Sequence, residues 1–318
     1  MGDIECNRLG VGVSVRLDAQ SSRIQPNSAS TCRRDPDGPT DTSRRSRAVT
    51  ITIFVEINDG IVMAADSAGT MGSGQIYAHA NKITNLCDGF SIGAMSTGAG
   101  GIGSESVETL LKDLRRRFEG RDPEHAEWQL DPASYTLEQV AEQLRAFLFE
   151  EKAALCPEPT NLQLRLCGYS AGRPLAEVWE VNMTGQHCPP PRCIMEETSF
   201  GVMWDGQYEA LNRLVLGLGF DVGGALVKHG VPAPEASKLQ EELVRDLYVT
   251  LSVPAMPIQD AIDLARFLVE TTIGFVRFAV FLPKSVGGAV EIAAITKHEG
   301  FRWVQRKSFY PIGNRQMD

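Results

Sequence analysis

Residues 50–56 (TITIFVE) alternate in polarity and are rich in β-branched side chains, the pattern of a strand. Asn58, Asp59 and Gly60 form a hairpin-turn signal, and residues 61–65 follow as an apolar run short enough for a buried strand. Residues 82–86, the turn Cys87-Asp88-Gly89 and residues 90–95 repeat the pattern, so two tandem hairpins predict an antiparallel sheet. Val107, Leu110, Leu111 and Leu114 then recur at helical spacing, with Ser104 or Ser106 as the cap, and Leu137, Val140, Leu144 and Leu148 mark a second amphipathic helix over 135–152. Residues 162–169 and 175–181 read as strands. A rigid loop at Cys188-Pro-Pro-Pro-Arg-Cys193 leads into a strand over 193–202. Residues 207–216 and 236–251 look helical, and 257–278 form a longer helix with Pro257 in its first turn. Residues 290–296 and 301–305 close the pattern as a hairpin around His298-Glu299-Gly300. This order predicts an α+β fold of two sheets packed face to face with helices outside.

Composition narrows the picture. The 318 residues are 43% hydrophobic and 22% charged, ordinary for a globular protein with a sizeable core. A net charge of −9 disfavours nucleic acid as a partner. No apolar run approaches the ~18 residues of a membrane helix, and the N-terminus has no signal-peptide core. Seven scattered cysteines read as reduced thiols, which suits a cytoplasmic protein. Residues 1–49 are rich in Ser, Arg, Asp and Pro and lack periodic apolar positions, so they stand outside the expected domain of residues 50–307, as does a weakly patterned tail at 308–318. The extension reads as a propeptide, a disordered tail or a misassigned start. The third is favoured: Val49 is what a GTG start codon spells, and removal of the initiator methionine placed there leaves Thr50 first.

Three residues bring chemistry. Thr50 opens the first predicted strand, Asp66 ends the second and Lys82 opens the third, sixteen and thirty-two residues after Thr50. A threonine hydroxyl is a poor nucleophile until a base takes its proton, and the α-amine of an N-terminal threonine, with an unperturbed pKa near 7.7–8.0, is such a base. A neighbouring lysine cation lowers the pKa of both groups, and a carboxylate orients the lysine. Taken singly, a strand threonine, a strand-end aspartate capping a turn through Ser67 and a solvated lysine are all ordinary structural residues. Their joint spacing favours a site at one sheet edge.

The stretch resembles the N-terminal half of proteasome β-type subunits, threonine peptidases of the N-terminal-nucleophile hydrolase superfamily, and more closely bacterial proteasome-like subunits. GGAVEIAAITKHEGF is similar to that family's final hairpin, so the resemblance covers residues 50–306 with a divergent middle. It implies a four-layer αββα sandwich of two antiparallel sheets, a Thr50 nucleophile supported by Asp66 and Lys82, and a Gly98 N–H as oxyanion donor. It implies a peptide or protein substrate, a homo-oligomer and no cofactor, and leaves any ATPase partner unspecified. Three departures bear on activity. The family's self-cleaving propeptides usually end in glycine, whereas Val49 stands here. The aspartate and serine that precede the GG pair in the family have no match, because Pro283, Ser285 and Val286 occupy that stretch. No mid-chain serine lies in residues 201–207, where Asp205 is the one candidate substitute. A catalytically silent structural subunit is therefore the alternative function.

Other motifs weigh less. Gly98-Ala-Gly100-Gly-Ile-Gly103 fits G-x-G-x-x-G, but a dinucleotide site needs a parallel βαβ unit, and the predicted hairpin does not supply one. His187, Cys188 and Cys193 lack a fourth metal ligand and the usual pairing, so they read as loop residues. Arg115, Arg116 and Arg117 suit a helix C-terminus.

Overall fold

The computed structural model describes residues 50–70, 75–195, 200–280, 282 and 284–307; of residues 1–49 it describes Ile4–Glu5 and Ser14–Val15, which pair antiparallel. The rest of the expected N-terminal extension, Val49, Pro283 and the tail at 308–318 lie outside the described residues. The fold is mixed α+β, with two large antiparallel sheets and several helices.

The first hairpin joins β1 (Ile51–Ile57) to β2 (Gly60–Ala65), with Ile57 opposite Gly60 and Thr52 opposite Ala65. The second joins β3 (Ile83–Asn85) to β4 (Ile92–Gly98). Helix α1 (Val107–Phe118) starts at Ser106, whose hydroxyl accepts the Thr109 N–H, and α2 (Leu137–Arg145) starts at Thr136 in the same way. The α2 helix continues through wider π-type turns over Ala146–Lys152. Strands β5 (Thr160–Gly168), β6 (Glu177–Gly185), β7 (Arg192–Met195) and β8 (Gly201–Gly206) follow. Then come α3 (Val222–Lys228), α4 (Ala233–Leu247), α5 (Ile258–Phe278) and the closing hairpin of β9 (Glu291–Thr296) and β10 (Gly300–Gln305).

The tandem hairpins do not share a sheet. One sheet runs β8-β1-β2-β9-β10 and the other β7-β6-β5-β4-β3. Each hairpin recruits late-sequence partners, so the single sheet suggested by tandem pairing is replaced by two. The strand expected over 193–202 likewise splits: β7 edges one sheet and β8 edges the other, with residues 196–199 outside the described residues.

Buried side chains form three main clusters. Leu110, Leu114, Leu144 and Leu148 of the first two helices pack on Ile92, Leu164 and Val181. Ala265, Leu268 and Val269 of α5 pack on Ile53, Val55, Val62 and Ile292. Phe54, Met63 and Ala293 of one sheet meet Met95, Cys167 and Val178 of the other. Every residue of β1 is buried because both its faces are covered. Ile51, Ile53 and Val55 take one face, and Thr52, Phe54 and Glu56 take the other by alternation.

Glu56 is an exception among these apolar neighbours: it is 2% exposed and its Oε2 has no hydrogen-bond partner. Burial pushes its carboxyl well up, and the Glu177 charge adds to the effect. A raised folded-state pKa means that the folded protein holds this proton more tightly than the unfolded chain does. The associated stability is complete below the ordinary carboxylate range and is lost as pH rises through the raised value.

Two outcomes are expected in urea unfolding. Glu56→Gln should raise the midpoint relative to the native protein more at pH 8 than at pH 4. Phe54→Ala should cost about 3–5 kcal/mol, whereas Phe267→Ala, at a half-exposed position on α5, should stay within about 0.5 kcal/mol.

Candidate active site

The β1–β2 register brings Ile51 and Asp66 together just beyond the last ladder pair, and the Asp66 N–H donates to the Ile51 carbonyl at 3.3 Å. Thr50 therefore sits beside Asp66 at the end of this sheet, and its Oγ1 donates to Asp66 Oδ1 at 2.9 Å. The same oxygen accepts the Ile51 N–H at 3.0 Å and Lys82 Nζ at 2.5 Å. The second oxygen, Oδ2, accepts the N–H groups of Ala68 at 3.1 Å and Gly287 at 3.0 Å. Asp66 is fully buried, with Thr50 and Lys82 nearly so at 4% and 7% exposure. The three residues singled out by spacing thus converge on one carboxylate.

Their route to that point differs from the expected shared sheet edge. Lys82 immediately precedes β3 of the other sheet, where its carbonyl accepts the Ser96 N–H at 3.0 Å. Its side chain crosses from one sheet to the other. A further contact beside it, between Thr52 Oγ1 and Thr97 Oγ1 at 3.4 Å, also links the sheets. Burial pushes the Lys82 ammonium down, the charge and hydrogen bond of Asp66 push it up, Lys307 pushes it down and Glu291 pushes it up; the net is below the ordinary lysine value.

Two glycines shape the site. Gly206 has φ 96° and packs on the Thr50 carbonyl so closely that any Cβ would collide with it, while the next residue, Gln207, donates its N–H to that carbonyl at 2.6 Å. Gly98 ends β4 next to Thr97, opposite Leu162, with φ 106°; a Cβ there would lie 2.5 Å from the Asn161 carbonyl oxygen. By alternation with Ser96, its N–H points toward the Lys82 segment, beyond that strand's last bond. Gly98 lies at the same end of the sheets as Thr50 but makes no hydrogen bond to it.

Several neighbours were not legible in advance. Gly287 belongs to the GG pair, but its N–H bond to Asp66 carries no sequence signal. Lys307 reaches back to the Ala80 carbonyl at 2.7 Å, and Ser67 Oγ donates to the Ala289 carbonyl at 2.7 Å. Asp205, the candidate substitute for the missing serine, makes an ion pair with the other sheet. Arg165 of β5 grips it with two bonds of 2.5 and 2.6 Å, and this partly buried pair joins the two sheets. Burial pushes the nearby Glu180 carboxyl up, but Arg165, Gln163 and Arg192 outweigh that and hold it below the ordinary range.

The other motifs resolve plainly. The segment after Gly98 pairs Gly101–Ile102 with Glu105–Ser106 in a tight hairpin, and β4 is antiparallel to both neighbours, so the G-x-G-x-x-G match lacks the βαβ setting of a dinucleotide site. Among the described residues, no group of three or more His, Cys, Asp or Glu side chains is placed to hold a metal ion, and His187 instead bridges to Thr184. Arg115 pairs with Asp88 and Glu119, and Arg117 with Glu151 and Asp122, so the arginine cluster ties α1 to its surroundings. Among the described residues, no helix is long and apolar enough to cross a membrane.

Replacing Asp66 by Leu strands the buried Lys82 cation and four further donors, with an expected loss of about 3–5 kcal/mol in chemical denaturation. The double variant Asp66→Leu/Lys82→Met should recover part of that loss, because no unpaired charge remains.

A scan against models of known protein families and a search of curated proteins return no match. The geometry of Thr50, Asp66 and Lys82 is thus the main support for any functional reading.

Proposed function

We propose that the chain is an N-terminal threonine hydrolase similar to proteasome β-type subunits, built as a four-layer αββα sandwich and cleaving amide bonds, with peptides as the expected substrate. The observation that carries this reading is the convergence of the Thr50 hydroxyl and the Lys82 ammonium on a single buried oxygen of Asp66.

In the sequence as written, Thr50 N is an amide to Val49, which has no base to offer. Function requires the chain to begin at Thr50, through cleavage before it or through initiation at Val49. The neutral α-amine then takes the Oγ1 proton as Oγ1 attacks the substrate carbonyl carbon. The carbonyl π bond becomes an oxyanion, for which the Gly98 N–H is the assigned donor; one such donor is worth ~10²–10³ in rate. Collapse breaks the C–N bond, and the protonated amine returns its proton to the leaving nitrogen. Water then attacks the threonyl ester while the amine takes its proton, and collapse breaks the acyl C–Oγ1 bond, releases the acid and returns that proton to Oγ1. Lys82 keeps the amine neutral near pH 7 by charge repulsion, and Asp66 holds Lys82 in place. A cytoplasmic location and assembly into a homo-oligomer belong to the same proposal.

A catalytically silent subunit is the second reading. It is favoured by the absence of the aspartate and serine that precede the GG pair in that family, where Ser285 and Val286 stand here.

Incubation of protein beginning at Thr50 with a β-lactone probe separates the two. A covalent adduct on Thr50, abolished in Thr50→Ala and retained in Thr50→Ser, is the expected result. Peptide hydrolysis should fall at least ~10²-fold in Thr50→Ala. Absence of adduct and turnover in a folded protein would favour the silent subunit.

A further inference from the structure

A second buried ion pair stands behind the first. Lys307, just after β10, and Glu291, at the start of β9, are 3% and 1% exposed, with Lys307 Nζ 3.5 Å from Glu291 Oε2. Lys307 Nζ also donates to the Ala80 carbonyl at 2.7 Å and lies 3.4 Å from Ser67 Oγ. Ala80 is two residues before Lys82, and Ser67 directly follows Asp66. One ammonium therefore ties the end of the last hairpin to both segments that deliver the Asp66–Lys82 pair. The Ala80 N–H, donating to the Ser67 carbonyl at 2.9 Å, closes the same knot.

We propose that Lys307 is a positioning residue for the Thr50–Asp66–Lys82 site, and that with Glu291 it sets the charge surroundings in which Lys82 holds its proton. The catalytic consequence rests on the threonine-hydrolase reading; the electrostatic one does not.

The charges facing Lys82 are Asp66 and Glu291, which favour its ammonium form, and Lys307, which opposes it. Those facing Lys307 are Glu291 and Glu108, with Arg306 and Lys82 opposing. Glu108 is in turn bonded to Lys112 and Asn81. Glu291 Oε1 has no hydrogen-bond partner, and burial pushes its carboxyl up despite Lys307 and, more weakly, Arg306, so its negative charge is favoured chiefly by Lys307. Removing Lys307 thus deletes a like charge near Lys82 and leaves Glu291 facing Arg306. Removing the Glu291 charge withdraws an anion that favours the Lys82 ammonium.

A purely structural role moves both variants the same way, whereas this electrostatic role moves them oppositely. The test is a titration of Lys82 in the full chain labelled with ¹³Cε/¹⁵Nζ-lysine, assigned by the signal lost in Lys82→Arg. Lys82 should titrate at lower pH in Glu291→Gln than in the native protein, and at higher pH in Lys307→Met. The double variant Lys307→Met/Glu291→Gln, which leaves no buried charge unpaired, should fall between the single variants and remains available if Lys307→Met does not fold. Unchanged titration in Glu291→Gln, or shifts of one sign in all variants, would overturn the proposal.

In protein beginning at Thr50, the basic limb of the kcat/KM profile should move in the same directions. Opposite titration shifts in a protein that never turns over substrate would leave the Lys307 assignment standing and remove the hydrolase.

Discussion

A carboxylate with no exposure to water is intolerable unless its charge is matched and its lone pairs are filled, and Asp66 meets both demands. Among the described residues, five donors are seen to reach it: the Thr50 hydroxyl, the Ile51, Ala68 and Gly287 N–H groups, and the Lys82 ammonium. They come from the start of β1, the turn after β2, the approach to β3 and the loop before β9. Satisfying one side chain therefore fixes four stretches of chain relative to one another. Because Lys82 approaches from the second sheet, the same demand also sets how the sheets meet at this end. The Thr50 hydroxyl is one of the five donors, so its position is set by the same constraint as the fold around it.

Around this centre, polar groups are concentrated where the sheets come together. Arg165 and Asp205 bridge them with two short bonds, and Thr52 meets Thr97 across the gap. Between these lies an apolar layer including Phe54, Met63, Met95 and Val178. Breaking a buried charge pair costs more than the pair contributes over an apolar substitute. These bridges therefore act chiefly by specifying which surfaces meet, while the apolar layer supplies the driving force. Glu56, buried near Cys167 and Tyr169 with an unpartnered oxygen, has no comparable compensation, and burial together with Glu56 pushes the Tyr169 phenol up to about 12.

Local pattern made much of this visible. Both hairpins, the two amphipathic helices and α5 are legible because their apolar residues recur at period two or near 3.6 and their turns carry Asn, Asp and Gly. The assignment of strands to sheets was not, because it depends on partners such as β8 against β1 and β9 against β2 that no local window contains. Helix α3 carries little local signal because Gly223 and Gly224 weaken any helical reading. At the site, Thr50, Asp66 and Lys82 were found through strand register translated into spacing. Gly287 and Lys307 reach their partners from 221 and 240 residues away, through a backbone N–H and an ordinary lysine. Neither carries a local signal.

The most direct measurement is the intact mass and N-terminal sequence of the protein purified from its own host. The threonine-hydrolase proposal needs a free α-amine on Thr50, since an amide nitrogen cannot serve as the base. A chain beginning at Thr50 is the predicted result. A native chain in which Thr50 remains joined to Val49 would contradict it, leaving the buried Asp66–Lys82 pair as a structural device.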